Sequence, residues 1–326
     1  MNYVKLNIII TIKWIACILT LVLIVIALIL WVSTSYYERT LNYLIIGAFA
    51  TMILALLLMR IEMRIATPPT LRIALIGYSR TGKTVFTTVL LSTLKTTSNH
   101  TKRIKTRGKE TREKLGEDYK ELESGNWLQN PTPEENPFTY CVDINRPRSI
   151  YVARSLEITD YGGPIYPNPL HNHYHMSPFY SDILRSHVFL LAIDLDNVIK
   201  MWNENAFVPE IKKSLNTFLE EVFEHKKLPR NKRMGIPIAI VFLKSDLLIN
   251  PNTNVEKDGR LLYGLELENE ILRKFDETIR SCKNHTMHFK CFFVSSTGRV
   301  DIENANGRIE ADSVTEPLKW VMDVLR

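Results

Sequence analysis

The stretch GYSRTGKT, residues 77 to 84, carries the spacing G-x-x-x-x-G-K-[ST] in full, with Gly77, Gly82, Lys83 and Thr84 at its fixed positions. Phosphate chemistry sets the demand on each residue type. Glycines let successive backbone N–H groups close around phosphate oxygens, a lysine reaches the outer phosphates as a point charge, and a threonine hydroxyl can ligate Mg²⁺. Ser79, Arg80, Thr81 and Val85 complete the expected contacts with a nucleotide. The apolar run LRIALI (71–76) before the turn and VFTTVLLSTL (85–94) after it predict a strand and a helix. The turn therefore opens onto a helix N-terminus, which adds to the anion site.

Three more loops bear polar groups where predicted strands end, the place where open α/β sheets bind ligands. EITDYGG (157–163) offers Asp160, whose carboxylate can hold Mg²⁺, and Gly163, whose N–H can meet a terminal phosphate. FLKSD (242–246) offers Lys244 and Asp246, and VSSTG (294–298) offers Ser295 and Ser296. The elements that must position these loops alternate. Strands are predicted at 138–144, 149–159, around HVFLLAIDL (187–195), around IPIAIVFL (236–243) and at HFKCFFVS (288–295). Helices are predicted for EIKKSLNTFLEEVFEHKKL (210–228), ELENEILRKFDETIRSCK (266–283) and TEPLKWVMDVL (315–325). Such alternation predicts an α/β domain with a mostly parallel sheet and helices on both faces.

In this order the loops resemble those of the P-loop GTPases with a Ras-like core, over about residues 71–326. The resemblance implies GTP and GDP as ligands and Mg²⁺ as cofactor. It makes Asp160 and Gly163 the γ-phosphate sensor and gives guanine reading to Lys244 and Asp246, with Ser295 and Ser296 near the base. Leu243 stands where the family has Asn or Thr, so the usual side-chain brace to the phosphate loop is missing. The first switch should supply a threonine to Mg²⁺, and Thr132 in NWLQNPTPEENPF is the choice, ahead of Thr139 in a predicted strand. Thr84, Thr132 and Asp160 thus form the expected metal set, and Lys83, Thr132, Gly163 and Arg80 the expected catalytic set.

Pro164 occupies the place of the water-orienting glutamine after the DxxG glycine, which predicts slow unaided hydrolysis. Arg80, inside the phosphate turn, could act as a built-in arginine finger, and His171, His173 and His175 lie in the following loop. NWLQNPT, LAIDLDN and LKSDLL are most similar to the bacterial double-GTPase proteins of phage-conflict systems, within the translation-factor-related class. That likeness implies partners and a role in antiviral defence. Two alternatives stand beside a switch: a membrane effector assembled by nucleotide, and a scaffold that binds GTP without hydrolysing it.

The rest of the chain bears on location and partners. Trp14 to Val32 is free of charge, and nineteen helical residues span roughly 28 Å, close to a bilayer core. A second apolar run covers 41–59, so residues 1–60 predict a transmembrane hairpin and 61–70, with Pro68 and Pro69, a linker. Cations flanking the pair predict both termini in the cytoplasm, in a multi-pass protein of the inner (plasma) membrane. The domain from 71 to 326 holds a basic insertion at about 98–137, with seven cations from Lys102 to Lys114. The net charge of +6 suits anionic lipid as well as nucleic acid, and no direct nucleic-acid contact is expected. The loop 161–181, with Tyr161, Tyr166, Tyr174, Phe179 and Tyr180, is the expected surface for a protein partner or a second copy. Four scattered cysteines make no disulfide framework. Cys282, His285, His288 and Cys291 have a spacing that could suit zinc, but they straddle a predicted helix end and strand start, where packing is the simpler reading.

Overall fold

A computed structural model describes residues 49, 52–53, 56–57, 70–78, 80–96, 103–128, 137–145, 152–161, 183–202, 207–225, 233–249, 255–257, 260–298, 309 and 311–325. The chain divides into two units, Met1–Pro69 with Asn145–Ser155, and Thr70–Ile144 with Leu156–Arg326. In the first, Phe49, Met52, Ile53, Leu56 and Leu57 are helical and exposed.

The second unit is built on a seven-stranded sheet in the order β2-β3-β4-β1-β5-β6-β9. Its strands are β1 (Thr70–Ile76), β2 (Arg103–Thr106), β3 (Phe138–Asn145), β4 (Val152–Asp160), β5 (Val188–Asp194), β6 (Ile238–Leu243) and β9 (Phe289–Val294). The strands β1, β5, β6 and β9 pair in parallel, neighbour to neighbour. β5 and β6 are buried along their whole length, as their apolar runs VFLLAI and IAIVFL require of strands covered on both faces.

Alternate side chains from each strand feed two cores. On one face, Ile76, Leu191, Ile240 and Phe242 meet Leu215, Phe218 and Phe275. These last come from α4 (Phe207–His225) and from Phe275, the residue between α5 (Gly264–Lys274) and α6 (Asp276–His285). On the other face, Leu75, Leu190, Val241 and Leu243 meet Phe86, Leu115 and Val321. Those belong to α1 (Lys83–Thr96), α2 (Lys109–Glu123) and α7 (Glu316–Val324). A mostly parallel sheet with helices on both faces is the expected α/β class.

Several elements depart from the sequence expectation. The basic insertion forms an edge strand, β2, and a docked helix, α2. That helix buries Thr111, Leu115, Asp118 and Leu122, one stripe at helical spacing, and leaves its other face to solvent. Asp118 accepts from Lys114 Nζ at 2.9 Å, which makes burial of its carboxylate tolerable. The single helix expected over 266–283 is broken at Phe275, whose ring is fully buried and meets Phe242 edge to face at 5.6 Å. A short antiparallel hairpin, β7 (Val255–Lys257) with β8 (Arg260–Leu262), had no signal strong enough to predict it.

The expectation of a multi-pass membrane protein is corrected. Among the described residues no helix is long and apolar enough to cross a membrane. A span needs about twenty predominantly apolar residues. The longest described helix, α4, instead alternates buried Ile211, Leu215, Phe218, Leu219 and Val222 with charged residues, and packs its apolar stripe on the sheet. The expected spans, 14–32 and 41–59, lie outside the described residues except for the five helical positions named above.

Candidate functional site

The turn after β1 is shaped by three backbone requirements. Gly77 lies so close to the neighbouring strand that a Cβ there would sit 2.6 Å from the Ala192 carbonyl oxygen. Gly82 has φ 89° and starts α1, where Phe86 N–H donates to its carbonyl at 2.9 Å. Arg80 also lies in the left-handed region, at φ 62°, a conformation that costs a non-glycine residue about 1 kcal/mol or more. It is exposed.

Lys83 is buried beneath this turn. Its ammonium donates to the Gly77 carbonyl at 2.9 Å, to the Tyr78 carbonyl at 2.6 Å and to Thr81 Oγ1 at 3.3 Å. Thr81 Oγ1 in turn donates to the Tyr78 carbonyl at 3.0 Å. The lysine thus ties the turn into a closed ring. Burial pushes its pKa down to about 8, partly opposed by the negative charge of Asp160. Tyr78 reaches away from the turn, and its hydroxyl donates to Ser214 Oγ on α4 at 3.0 Å.

Thr84 faces the end of β4, and its hydroxyl donates to Asp160 Oδ2 at 2.6 Å. Hydroxyl and carboxylate oxygens are hard donors of the kind Mg²⁺ takes, and Mg²⁺ is normally held by one or two protein groups plus water and phosphate. The pair fits that chemistry. Among the described residues there is no group of three or more His, Cys, Asp or Glu that could form an all-protein metal cage.

At the other end of the parallel sheet edge, β6 gives way to a 3₁₀ turn, Ser245–Ile249. Asp246 Oδ1 accepts from Ser295 Oγ at 2.8 Å, and Ser295 Oγ accepts from Gly298 N–H at 3.1 Å. Ser295 is held by backbone exchange with Asp312, at 3.1 and 2.9 Å. Ser296 is half-buried beside it. Lys244 has φ 64°, and its ammonium lies 2.9 Å from Asp194 Oδ2. The structure therefore gathers Lys83, Thr84 and Asp160 at one end of the site, and Lys244, Asp246 and Ser295 at the other.

Some expected residues fall elsewhere. Ser79, Thr132, Gly163, Pro164 and the three loop histidines lie outside the described residues. Val85 packs half-buried against the core shared by α1 and α7. Thr139 is in β3, with its hydroxyl 3.0 Å from that of Thr159. Tyr161 is buried in the core and does not belong to an exposed aromatic surface. His285 stacks on Phe223 at 4.1 Å, and its Nδ1 meets the Ser281 carbonyl. Burial pushes the thiols of Cys282 and Cys291 up to about 12.

One residue escaped the sequence reading. Asp194, the last residue of β5, was visible within LAIDLDN but carried no assigned role.

No family model matches the chain, and no curated protein sequence matches it. Among solved structures it is similar to GTP-binding proteins. A Plasmodium falciparum protein described as nucleolar GTP-binding protein 1 is 14% identical over 79% of this chain and 93% of its own, with a TM-score of 0.36. The Arl6 small GTPase of Trypanosoma brucei, with the nucleotide analogue GppNp bound, is 12% identical over 78% and 96%, at 0.39. A GTP-binding protein of Sulfolobus solfataricus in complex with GDP is 13% identical over 88% and 62%, at 0.32. Likenesses of this size carry no inference about ligand or activity, so the functional reading rests on the site.

Proposed function

We propose that the chain binds GTP and GDP and works as a nucleotide-operated switch. The observation that carries this reading is the junction of Asp246 with Ser295 on the sheet edge that also presents Lys83 and Thr84. A carboxylate can accept from both the ring N–H and the exocyclic amine of guanine, and adenine offers no such pair of donors. Ser295 fixes the carboxylate by donating to one oxygen, so its orientation is set before the base arrives.

In this reading Gly77 to Thr84 wrap the phosphates with backbone N–H groups. The Lys83 ammonium exchanges its carbonyl partners for phosphate oxygens. Thr84 and Asp160 hold Mg²⁺, which supplies positive charge to the outer phosphates when bound. Thr132 and Gly163 are the groups proposed to respond to the third phosphate, ordering their loops with GTP and releasing them with GDP. Pro164 has no side-chain group to orient water, so turnover is slow unless a partner supplies one. The 161–181 loop is the proposed contact for that partner, with buried Tyr161 as its fixed root. The finer kinship, to double-GTPase proteins of phage conflict, rests on NWLQNPT, LAIDLDN and LKSDLL.

Retention of labelled GTP against labelled ATP tests the reading. Guanine-selective retention supports it, and equal retention of both removes Asp246 from its role. Turnover measured with and without cell extract separates a partner-stimulated GTPase from a scaffold that never hydrolyses.

A further inference from the structure

Lys244 emerges from a strand end that cannot hold it. Leu243 is apolar and buried, and the lysine backbone is in the left-handed region. Directly across the sheet, in register with Leu243, stands Asp194. Its carboxylate is buried, and each oxygen has a separate task. Oδ1 accepts from Asp196 N–H at 3.0 Å, capping the short helix α3 (Leu195–Lys200). Oδ2 accepts from Lys244 Nζ at 2.9 Å and from Asn197 Nδ2 at 3.1 Å.

The cap uses only Oδ1. The second oxygen is shared, inside the fold, between the Asn197 amide of the same short helix and Lys244, the lysine that flanks Asp246. Burying a carboxylate opposes its charge, and the Lys244 hydrogen bond and charge work against that penalty. Asp196 adds a second carboxylate 3.9 Å from the same ammonium, itself tied to Lys200 at 2.8 Å. A lysine side chain is flexible, and fixing it beforehand lowers the ordering cost of binding a ligand.

We propose that Asp194 is a positioning residue for the nucleotide base: it fixes Lys244 where its aliphatic stem covers the base read by Asp246. The proposal rests on the guanine-nucleotide reading above.

The test is a double-mutant cycle in the full chain. Asp194→Asn keeps a good helix cap, because Asn caps as well as Asp, but removes the charge that holds the lysine. Lys244→Met keeps a long stem and removes the ammonium. Dissociation constants for GDP and inosine diphosphate are measured by calorimetry, with melting of each ligand-free variant as a control. Asp194→Asn should weaken GDP and inosine diphosphate alike, by about tenfold, because the stem contact is blind to the exocyclic amine. In the Lys244→Met background the same change should have no further effect on either ligand. If the wild-type chain binds GDP and Asp194→Asn leaves its affinity unchanged, the positioning role falls while the guanine reading stands. The same holds if the loss is equal in both backgrounds and tracks a lower melting temperature. If the wild-type chain binds neither nucleotide, both fall.

Discussion

The Thr84 hydroxyl donates to Asp160 Oδ2 at 2.6 Å, joining the first turn of α1 to the end of β4. These two residues are 76 positions apart in sequence, and the bond sets hard oxygen donors side by side at the mouth of the phosphate turn. Thr84→Ala should therefore reduce GDP affinity about tenfold or more in Mg²⁺ and change it little in excess EDTA. Titrations in the two buffers check this, and an equal loss in both would remove the metal from the role of Thr84.

Lys83 makes binding sensitive to pH. Its folded pKa, about 8, lies below the ordinary lysine value, so the unfolded chain binds more protons between the two. Ligand-free stability should rise with pH across that window and be independent of pH below it, where the cost of burying the ammonium is present in full. Phosphate favours the ammonium, so binding above pH 8 takes up a proton, and affinity should fall there by up to about tenfold per pH unit. Calorimetry in buffers of different ionisation enthalpy counts that proton, and Lys83→Met should abolish the uptake.

The phosphate turn tolerates substitution unevenly. Gly77→Ala drives a methyl against the Ala192 carbonyl, which cannot retreat without shifting β5. A loss of about 1–3 kcal/mol in chemical denaturation is expected. Arg80 is exposed and already holds a left-handed backbone, so Arg80→Gly should leave the midpoint unchanged or slightly higher. Arg80→Val should lower it, because a β-branched residue suits that region least.

How much of this was legible beforehand varied with the range of the signal. The phosphate turn, β5 and β6 were readable because each is a short contiguous pattern, either glycine spacing or an apolar run. Lys244, Asp246 and Ser295 were legible as loop residues by strand order, although the hydrogen bond joining Asp246 to Ser295 spans 49 positions. Asp194 was not, because its partner is set by strand register and nothing local to LAIDLDN announces Lys244. The break at Phe275 escaped for a similar reason. Local propensity favours one continuous helix there, and Phe275, whose ring packs on Phe242, separates the two helices by a single residue. The apolar runs before residue 60 pointed to a bilayer, whereas among the described residues no helix is long and apolar enough to cross one.

In the proposed reading, Ser295 orients the Asp246 carboxylate, to which its hydroxyl donates at 2.8 Å. Ser295→Ala removes a donor to Asp246 and an acceptor from Gly298. A cost of about 1–2 kcal/mol in GDP binding is expected, with part of the preference over inosine diphosphate lost. Competition binding of the two diphosphates measures that preference, and an unchanged ratio would separate Ser295 from base recognition.

The most direct measurement is the nucleotide preference of Asp246→Asn. An asparagine amide donates where the aspartate only accepts, so it suits xanthine, whose ring carries a carbonyl where guanine carries an amine. The wild-type chain should prefer GDP to xanthosine diphosphate by about a hundredfold or more, and the variant should reverse the order. A variant that still prefers GDP, or a wild-type chain indifferent to the base, would contradict the account.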